Sequence, residues 1–389
     1  MKINKNIIIS LLLTILSTTS YGQGKPKKFI VYGHLQNLNT IWIEDVKSQW
    51  YSMGSIYNRL NFKWYPHNNW KLSAGMRNMF TYGQLVYQNY PFYSDMLITD
   101  DGYADMTRLI AKDSSYIAYT NIDRANIQFI KGNFEIKVGR QRINWGINMV
   151  WNPNDIFNTF NYYDFDYVER PGCDAVRVQY YTGASSLVEA AFKIASNDKI
   201  TAAAMYRFNR WNYDFQVMAG VMEDDIMIGG GWSGYIKDAG FTGEGSYFRD
   251  KNNFADTTGI FVFSAGANYT FKNSIFLHGS FLFNSNGTTG KAGWGSSFIV
   301  LQNLTPKTLT LARYSLFGQI SFPFTPLIKG DFSTIYNPND KSAFLGPNLD
   351  FSLSDNISLL FMSQIFLGNK GTEFGEYGTL FYLRLKWSF

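Results

Sequence analysis

Arginines recur on the polar faces of amphipathic segments in this chain, where a guanidinium group could bind anions or pair with carboxylates. Polar and apolar residues alternate in these segments, so a residue's position assigns it to one of two faces of a strand. The alternation places Arg59, Arg77, Arg124 and Arg177 on polar faces, each near the middle of its segment. Arg384, in the last segment, also lies on a polar face. These arginines are the first candidates for a functional site.

A second charged group lies between residues 146 and 172, in a segment that is both acidic and aromatic. Its acidic residues are Asp155, Asp164, Asp166 and Glu169, and its aromatic residues include Phe157, Phe160, Tyr162, Tyr163, Phe165 and Tyr167. So many aromatic side chains should pack against the rest of the protein rather than extend into water. Arginines that face these carboxylates could have one of two roles. The separated charges would create an electric field across a channel, or the ion pairs would only hold an aromatic plug in place.

Other patterns that could carry chemistry are weaker. The three histidines, His34, His67 and His278, lack metal-ligand spacing, so no metal site is expected. Ser280 beside His278 is the only neighbouring pair that resembles a nucleophile and its base, and such pairs are common in polar linings. We therefore expect neither an enzyme nor a cofactor.

Two repeats and one glycine cluster have simpler interpretations. Residues 152–155 and 337–340 both read Asn-Pro-Asn-Asp, which Asx-Pro turns explain, with calcium binding as an alternative. Residues 229–231 are three glycines without the strand-to-helix context of a phosphate loop. They predict tight curvature or the close approach of another backbone segment. The only cysteine, Cys173, is interpreted as structural.

The end of the chain gives the first indication of the elements that position these residues. It has the pattern of an amphipathic strand whose last residue is aromatic. Its apolar face carries Phe381, Leu383, Leu385, Trp387 and Phe389. This face resembles the C-terminal signal of outer-membrane β-barrels, in which the last strand closes the barrel and is bound by the barrel-assembly machinery. The resemblance implies location in the cell outer membrane of a Gram-negative bacterium, in contact with lipid and lipopolysaccharide.

The N-terminus is consistent with export. Lys2 and Lys5 precede an apolar run, and small residues before position 23 predict a signal peptide over residues 1–22. No stretch reaches the roughly 18 apolar residues of a membrane-spanning helix, so strands must cross the membrane. The remaining residues, 23–389, are predicted to form one barrel domain without an N-terminal plug.

Composition and patterning predict an all-β, transmembrane antiparallel barrel. The aromatic content is 18% and the mean hydropathy only −0.18, which fits strands with one apolar face and aromatic girdles. The formal charge of +5 is too small for this length to suggest nucleic-acid binding. We place about eighteen strands, with sixteen as the alternative, at 29–43, 51–65, 69–84, 115–131, 133–145, 173–182, 185–195, 200–210, 212–222, 225–237, 239–249, 259–272, 274–285, 308–323, 327–337, 342–353, 357–368 and 377–389.

Connection lengths support this assignment, because such barrels have short periplasmic turns and longer external loops. With the N-terminus in the periplasm, the long connections near 85–114, 146–172, 250–258, 286–307 and 369–376 all fall outside. The tight connections all fall at the opposite end. An eighteen-strand barrel is wide enough to leave an aqueous channel.

Arg140 and Arg142 do not fit the alternation of their own segment. Phe134 and Val138 set its outward phase, which would direct both arginines toward lipid, where an Arg at the midplane costs ~2–4 kcal/mol. A β-bulge at Gly139 would shift the phase by one and turn both arginines inward. We therefore predict that bulge and assign both to the basic wall.

One internal signature points to a family. Residues 138–146 contain Gly-Arg-Gln and Asn-Trp-Gly, Asn-Pro-Asn-Asp follows at 152–155, and Glu-Arg-Pro-Gly at 169–172. The set resembles a signature of porin-like outer-membrane barrels, analogous to alginate-export-like and general porins. The resemblance implies the architecture and does not indicate a substrate.

We therefore expect a porin-like channel for passive diffusion of small hydrophilic solutes, anionic or dipolar, with the third external loop folded inward against a basic wall. The alternative is a non-conducting structural subunit of a larger outer-membrane assembly for secretion, barrel insertion or surface display. The sequence leaves open a homo-oligomer or a larger outer-membrane complex.

Overall fold

The computed structural model of the chain describes residues 28–44, 49–159, 161–167, 169–293 and 304–389. The predicted signal peptide lies outside these residues. The strands are β1 (Phe29–Ile43), β2 (Trp50–His67), β3 (Trp70–Gly83), β4 (Thr107–Asp113), β5 (Tyr116–Lys131), β6 (Phe134–Gln141), β7 (Cys173–Tyr181), β8 (Leu187–Ile194), β9 (Ile200–Arg210), β10 (Tyr213–Met222), β11 (Asp225–Ile236), β12 (Ala239–Asp250), β13 (Ile260–Thr270), β14 (Phe276–Asn284), β15 (Tyr314–Thr325), β16 (Ile328–Asn337), β17 (Ser342–Ser354), β18 (Ile357–Leu367) and β19 (Thr379–Ser388). Two short helices are α1 (Gln84–Asn89) and α2 (Phe92–Ile98).

None of the helices in the described part of the chain has the length and apolar character needed to span a bilayer.

The strands form one closed antiparallel barrel. Successive strands pair along the chain, and β1 pairs with β19 to close the sheet. β5 pairs with β3 along one edge, while its other edge is shared by β6 below and β4 above. β4 and β6 therefore occupy one position between them, and the barrel has eighteen. This confirms the predicted fold class, and each predicted strand overlaps an observed one.

The segment between β3 and β5 is more ordered than predicted. The sequence predicts an external loop over 85–114, whereas the structure places α1, α2 and β4 there. Val86 in α1 packs with Ile117 and Tyr119, which are fully or almost fully buried. The helices thus cover the upper part of the wall formed by β2, β3 and β5.

Alternation explains why these segments form a barrel with an apolar exterior. On β13 the exposed Phe261 lies on the opposite face from the buried Val262 and Ser264. The large exposed side chains elsewhere on the strands are mostly Phe, Tyr, Trp, Leu, Ile and Val. Lipid-facing apolar residues that alternate with inward residues are the pattern of outer-membrane barrels. The architecture agrees with the predicted location in the cell outer membrane.

The two ends of the barrel differ as predicted. Short turns, including Thr182–Ser186 and Phe271–Ile275, join strands at the end that also holds Phe29 and Phe389. All the long connections leave from the other end. The backbone of Phe389 exchanges two hydrogen bonds of 2.9 Å with Gly33 on β1, so the last residue takes part in closing the barrel.

The predicted bulge at Gly139 is wrong. Gly139 has a φ of 109°, but its register is continuous, with Asn126 opposite on β5 and Ala175 opposite on β7. The irregularity lies instead on β5, where Gly75 pairs with Arg124 and Met76 with Ile122. Asp123 is the extra residue of this bulge, which lets both Asp123 and Arg124 contact groups inside the barrel.

Candidate functional site

The external loop 142–172 packs inside the barrel against strands on opposite walls. Near its start, the Trp145 indole N–H donates to Glu189 on β8 at 2.6 Å. Further along, the carbonyl of Tyr163 accepts a bond of 2.9 Å from Gln364 on β18. The hydroxyl of Tyr57 on β2 donates to the carbonyl of Asp166 at 2.9 Å. The loop therefore crosses the lumen and is held on several sides.

The centre of the basic wall is an ion pair with Asp123, a carboxylate outside the predicted site. Arg59 binds Asp123 through two bonds, of 2.6 and 3.0 Å. Both side chains are almost fully buried. The Tyr167 hydroxyl donates to the same carboxylate at 2.5 Å, and Glu169 lies 3.5 Å from Arg59. A Cβ at Gly75 would lie 2.9 Å from the Arg59 guanidinium, so a glycine provides the space for this pair.

Arg77 and Arg124 flank this centre and contact the end of the loop. The Arg77 guanidinium lies over the Tyr167 ring, 3.6 Å from its centroid, in a cation–π contact. Arg124 donates to the carbonyls of Glu169 and Arg170 at 2.6 and 2.8 Å. Arg124 therefore orients the loop backbone, and the Asp123 carboxylate lies 3.9 Å from its guanidinium.

The loop carboxylates of the central segment are mostly bound by neutral groups. Asp166 accepts a hydrogen bond from Gln36, and Arg384 lies 3.9 Å away from it. The amide of Tyr167 donates to Asp164 at 3.3 Å. Burial raises the pKa of both Asp164 and Asp166 above the usual aspartate value. Of the four predicted loop acids, Asp166, Glu169 and Asp155 thus lie within 4.0 Å of the predicted arginines Arg384, Arg59 and Arg142, respectively.

Arg177 pairs with the wall rather than with the loop acids. Its guanidinium binds Glu189 on the next strand at 2.6 and 2.7 Å. Glu189 also accepts the Trp145 indole and the amide of Gln179, so three donors share one buried carboxylate. Arg177 therefore acts on the loop through Glu189.

The fourth loop acid, Asp155, is fully buried next to Arg142. The Arg142 Nη2 and Asp155 Oδ2 atoms are 3.7 Å apart. Burial raises the pKa of Asp155 to about 7, and the positive charge of Arg142 only partly opposes this. Arg142 follows the end of β6. Burial also lowers the pKa of its guanidinium group, because the charged form loses contact with water.

The glycine cluster on β11 receives the loop, as the close-approach interpretation predicted. Asn154 donates to the carbonyl of Gly230 at 3.0 Å, and the Ser246 hydroxyl donates to the Asn154 side-chain oxygen at 2.7 Å. A Cβ at Gly229 would lie 2.8 Å from that oxygen, and one at Gly231 would lie 2.7 Å from Ile147. Glycines here let the loop lie directly against the strand.

The assignment of Arg140 to the lumen wall is wrong. Because no bulge shifts the phase, Arg140 lies on the same face as Val138 and opposite Asp174. It is buried nevertheless, because it binds Asp174 at 2.8 Å and Asp100 at 2.7 Å and donates to the Ala104 carbonyl. Arg140 therefore fills the junction where β6 ends and the segment leading to β4 takes over the edge of β5.

Several inward charges were missed. Asp123 and Glu189 neutralise Arg59 and Arg177, so the wall is less basic than predicted. Below the loop, inward lysines also lie outside the predicted basic wall. By the strand register four of these, Lys63, Lys71, Lys137 and Lys386, have no carboxylate partner among the residues that the structure describes, whereas a fifth, Lys329, pairs with Asp331 at 3.1 Å. The alternation alone is enough to place these lysines, because each lies an even number of residues from a predicted inward arginine or another polar residue of the same strand.

No group of three or more His, Cys, Asp or Glu side chains that could hold a metal ion occurs in the described ranges. His34 lies 4.0 Å from Glu169, and the ring of His278 contacts Phe317. The two histidines therefore belong to different parts of the wall.

Comparisons with known proteins extend the fold assignment. No protein-family model matches the chain, and no curated protein matches it. Solved structures do. Pseudomonas aeruginosa OccK9 (OpdG) matches with a TM-score of 0.60 at 11% identity, covering 94% of this chain and 99% of that one. The outer membrane protein opdK of the same organism matches with a TM-score of 0.57 at 13% identity, covering 92% and 98%.

Acinetobacter baumannii OccAB1 matches with a TM-score of 0.55 at 10% identity, covering 94% of this chain and 97% of that one. At such low identity the similarity concerns the fold. The chain therefore shares its fold over nearly its whole length with these solved structures, one of which is described as an outer-membrane protein.

Proposed function

We propose that the protein is a porin-like outer-membrane channel for passive diffusion of small hydrophilic solutes, with a preference for anions. The observation that carries this proposal is the group of inward lysines below the loop. Among the described residues, no carboxylate lies within 4.0 Å of Lys63, Lys71, Lys137 or Lys386. An ammonium group without a carboxylate partner is very costly to bury without water, so these lysines favour a hydrated lumen at this end. The register also directs Glu135, Asp214 and Asp350 inward, so the lysines add positive charge to a lumen that contains both signs.

The loop supplies the narrow part of the proposed path. It lies across the lumen at the height of Arg59 and Arg77, near the middle of β2 and β3. Arg59 is neutralised by Asp123, and Arg384 lies 3.9 Å from the Asp166 carboxylate. Arg77, in contrast, contacts the ring of Tyr167 and has no carboxylate within 4.0 Å among the described residues. The cations that remain able to attract a passing anion are therefore Arg77 and the lysines below it, rather than the whole predicted wall.

The test is the reversal potential of the refolded protein in a planar bilayer with a salt gradient. Wild type should show large ohmic steps with anion preference. The double variant Lys63→Glu/Lys137→Glu should shift the permeability ratio several-fold toward cations. The control variant Lys237→Glu/Lys272→Glu makes the same charge change at exposed positions in short turns and should leave the ratio close to that of wild type. A folded barrel that carries no current would refute the proposal.

A second function, a non-conducting structural subunit of a larger outer-membrane assembly, has its own supporting observation. Buried pairs hold the loop so firmly that the arginines could serve only to pin it. Exposed aromatic residues at the external end, Tyr87, Phe92 and Tyr103, could contact another protein. A stable stoichiometric hetero-complex in mild detergent, together with absent conductance, would favour this function.

Assembly in the membrane is proposed to depend on the last strand. Phe381, Leu383 and Leu385 are exposed on the outer face of β19, and Phe389 is exposed directly after it, where the barrel-assembly machinery could bind them. Deletion of Phe389 should reduce insertion in cells while leaving refolding in detergent largely intact. Equal loss in both settings would contradict a role as a signal.

A further inference from the structure

A row of polar side chains interrupts the apolar exterior of the barrel. The register of β1, β2 and β3 directs Asn37, Asn58 and Asn78 outward, together with Asn39. Asn58 and Asn78 are direct partners on neighbouring strands, and Thr120 on β5 lies opposite Asn78. Asn39 is exposed and the other asparagines are half-buried.

The row lies within the depth that lipid tails occupy. On β3, Asn78 comes eight residues after Trp70 and four before Tyr82, and both aromatics are exposed. With a rise of ~3.3 Å per residue and a strand tilt of about 40°, Asn78 lies about 20 Å above Trp70 and about 10 Å below Tyr82 along the membrane normal. Apolar outward neighbours, Ile56 and Phe80, lie on the same strands.

The other walls of the barrel have no such row. In β6 to β19, whose residues are all described, no asparagine, glutamine or charged residue takes an outward position except within two residues of a strand end. The polar residues are thus confined to one side, formed by β1, β2, β3 and β5.

The protein itself satisfies only part of this row. Asn39 donates to Asn37 at 2.6 Å, and Asn58 donates to the carbonyl of His34 at 3.2 Å. The remaining amide groups face the position of lipid, which offers no hydrogen bonds, and exposing them there is unfavourable. A partner that brings donors and acceptors to the same depth would remove this cost.

We propose that this side of the barrel, the outward face of β1, β2, β3 and β5, is the contact surface for a second copy of the same chain. Two copies inserted in one membrane have the same orientation and depth, so a two-fold axis along the membrane normal brings the asparagine row of one copy against that of the other. Carboxamides both donate and accept, so the row is complementary to itself.

The same observations favour a dimer over a closed ring. A ring of three or more copies uses two different surfaces of each subunit. The second surface would then lie on β6 to β19, where outward positions more than two residues from a strand end offer no matching amide or charged group. A two-fold contact uses the row on both sides and leaves no amide unmatched.

Cysteine cross-linking in native outer membranes tests the contact. Cys173 is the only cysteine and is buried, so Cys173→Ala provides the background. Single variants Asn37→Cys, Asn58→Cys and Asn78→Cys are treated with a membrane-permeable oxidant, and Ala204→Cys on the distant strand β9 is the control. Disulfide formation needs Cα atoms within about 7 Å, so residues near the axis should give a band of twice the monomer mass.

A dimer band from at least one of the asparagine positions, and none from Ala204→Cys, supports the proposal. Monomer only at all three positions, a ladder of larger species, or a cross-link to a chain of different mass would overturn it. In mild detergent, the mass of the Asn58→Leu/Asn78→Leu variant should fall from dimer to monomer while its heat-modifiable band is retained. Thr334→Leu, which removes an outward hydroxyl on β16, should remain dimeric. A persistent dimer in the asparagine variant would contradict the role of the row.

Discussion

Arg59 and Asp123 form a two-point ion pair in the interior of the barrel, and the hydroxyl of Tyr167 donates to the same carboxylate at 2.5 Å. Through Asp123 one contact joins β2, β5 and the inward loop. A pair buried to this extent is not evidence of high stability, because desolvation opposes the attraction of the charges. Removing one partner nevertheless lowers the free energy of unfolding, because the other charge then stays buried without its partner.

Asp123→Ala should therefore destabilise the folded barrel strongly. Arg59 would retain only Glu169, at 3.5 Å, and the loop would lose the Tyr167 anchor. We expect a loss of about 3–5 kcal/mol in the free energy of unfolding, measured by urea titration in lipid vesicles. Asp105→Ala is the control, because it breaks the exposed pair with Arg108 and should cost about 0–1 kcal/mol. Similar losses in the two variants would contradict the structural role of Asp123.

Arg140→Met should loosen the junction between β6 and the segment that precedes β4. The variant loses the bonds to Asp100, Asp174 and the Ala104 carbonyl, while the carboxylates stay partly buried. We expect faster protease cleavage and faster hydrogen exchange over residues 99–113, with the rest of the barrel unchanged. Arg108→Met, in the exposed pair nearby, should leave the exchange rates close to wild type. Unchanged protection in Arg140→Met would show that the segment is held by other contacts.

Gly229→Val should displace the inward loop from β11. The new Cβ would lie 2.7 Å from the Ser246 hydroxyl and 2.8 Å from the Asn154 oxygen, and the second of these belongs to the loop. If the loop narrows a channel, its displacement should raise the single-channel conductance. Gly279→Val is the matched control, because its Cβ would meet its nearest atom only at 3.9 Å. A conductance equal to wild type in both variants would mean that the loop does not limit the current.

The fold could be predicted from the sequence because each strand carries its own signal. Alternation with a period of two residues, together with short turns and long loops, is written into local sequence and needs no knowledge of distant contacts. This is why eighteen segments could be placed. The short strand β4 lacks that signal: it follows Asp105 and ends at Asp113 after seven residues, and only the edge of β5 left free by β6 makes it a strand.

The site was less predictable, since partner choice depends on register. Sequence alternation could direct Arg59 and Arg177 inward, but it could not show that Asp123 and Glu189 lie beside them. One signal was available: polar residues of β5 change parity between Asn121 and Asn126, which indicates a bulge there rather than at Gly139. The outward asparagines were likewise unrecognisable until the pairing of β1 to β3 placed them side by side.

The buried Asp155 should make the packing of the loop depend on pH. Burial raises the pKa of its carboxyl group to about 7 in the folded protein, against ~4 for an exposed aspartate in the unfolded chain. Between these values the folded state binds more protons than the unfolded one. Its contribution to stability is therefore fully present below about pH 4 and is lost as the pH rises through about 7.

Asp155→Asn should remove this dependence, because an amide stays neutral and can occupy the same site. The urea midpoint of wild type should fall more between pH 5 and pH 8 than that of the variant. Glu373, in another external loop, has a pKa raised by burial to about 8 and contributes in the same direction, so the comparison uses the difference between the two proteins. Arg142, 3.7 Å from Asp155, attracts the charged form and limits the effect. Parallel pH profiles for wild type and Asp155→Asn would show that the carboxyl group remains ionised inside the barrel.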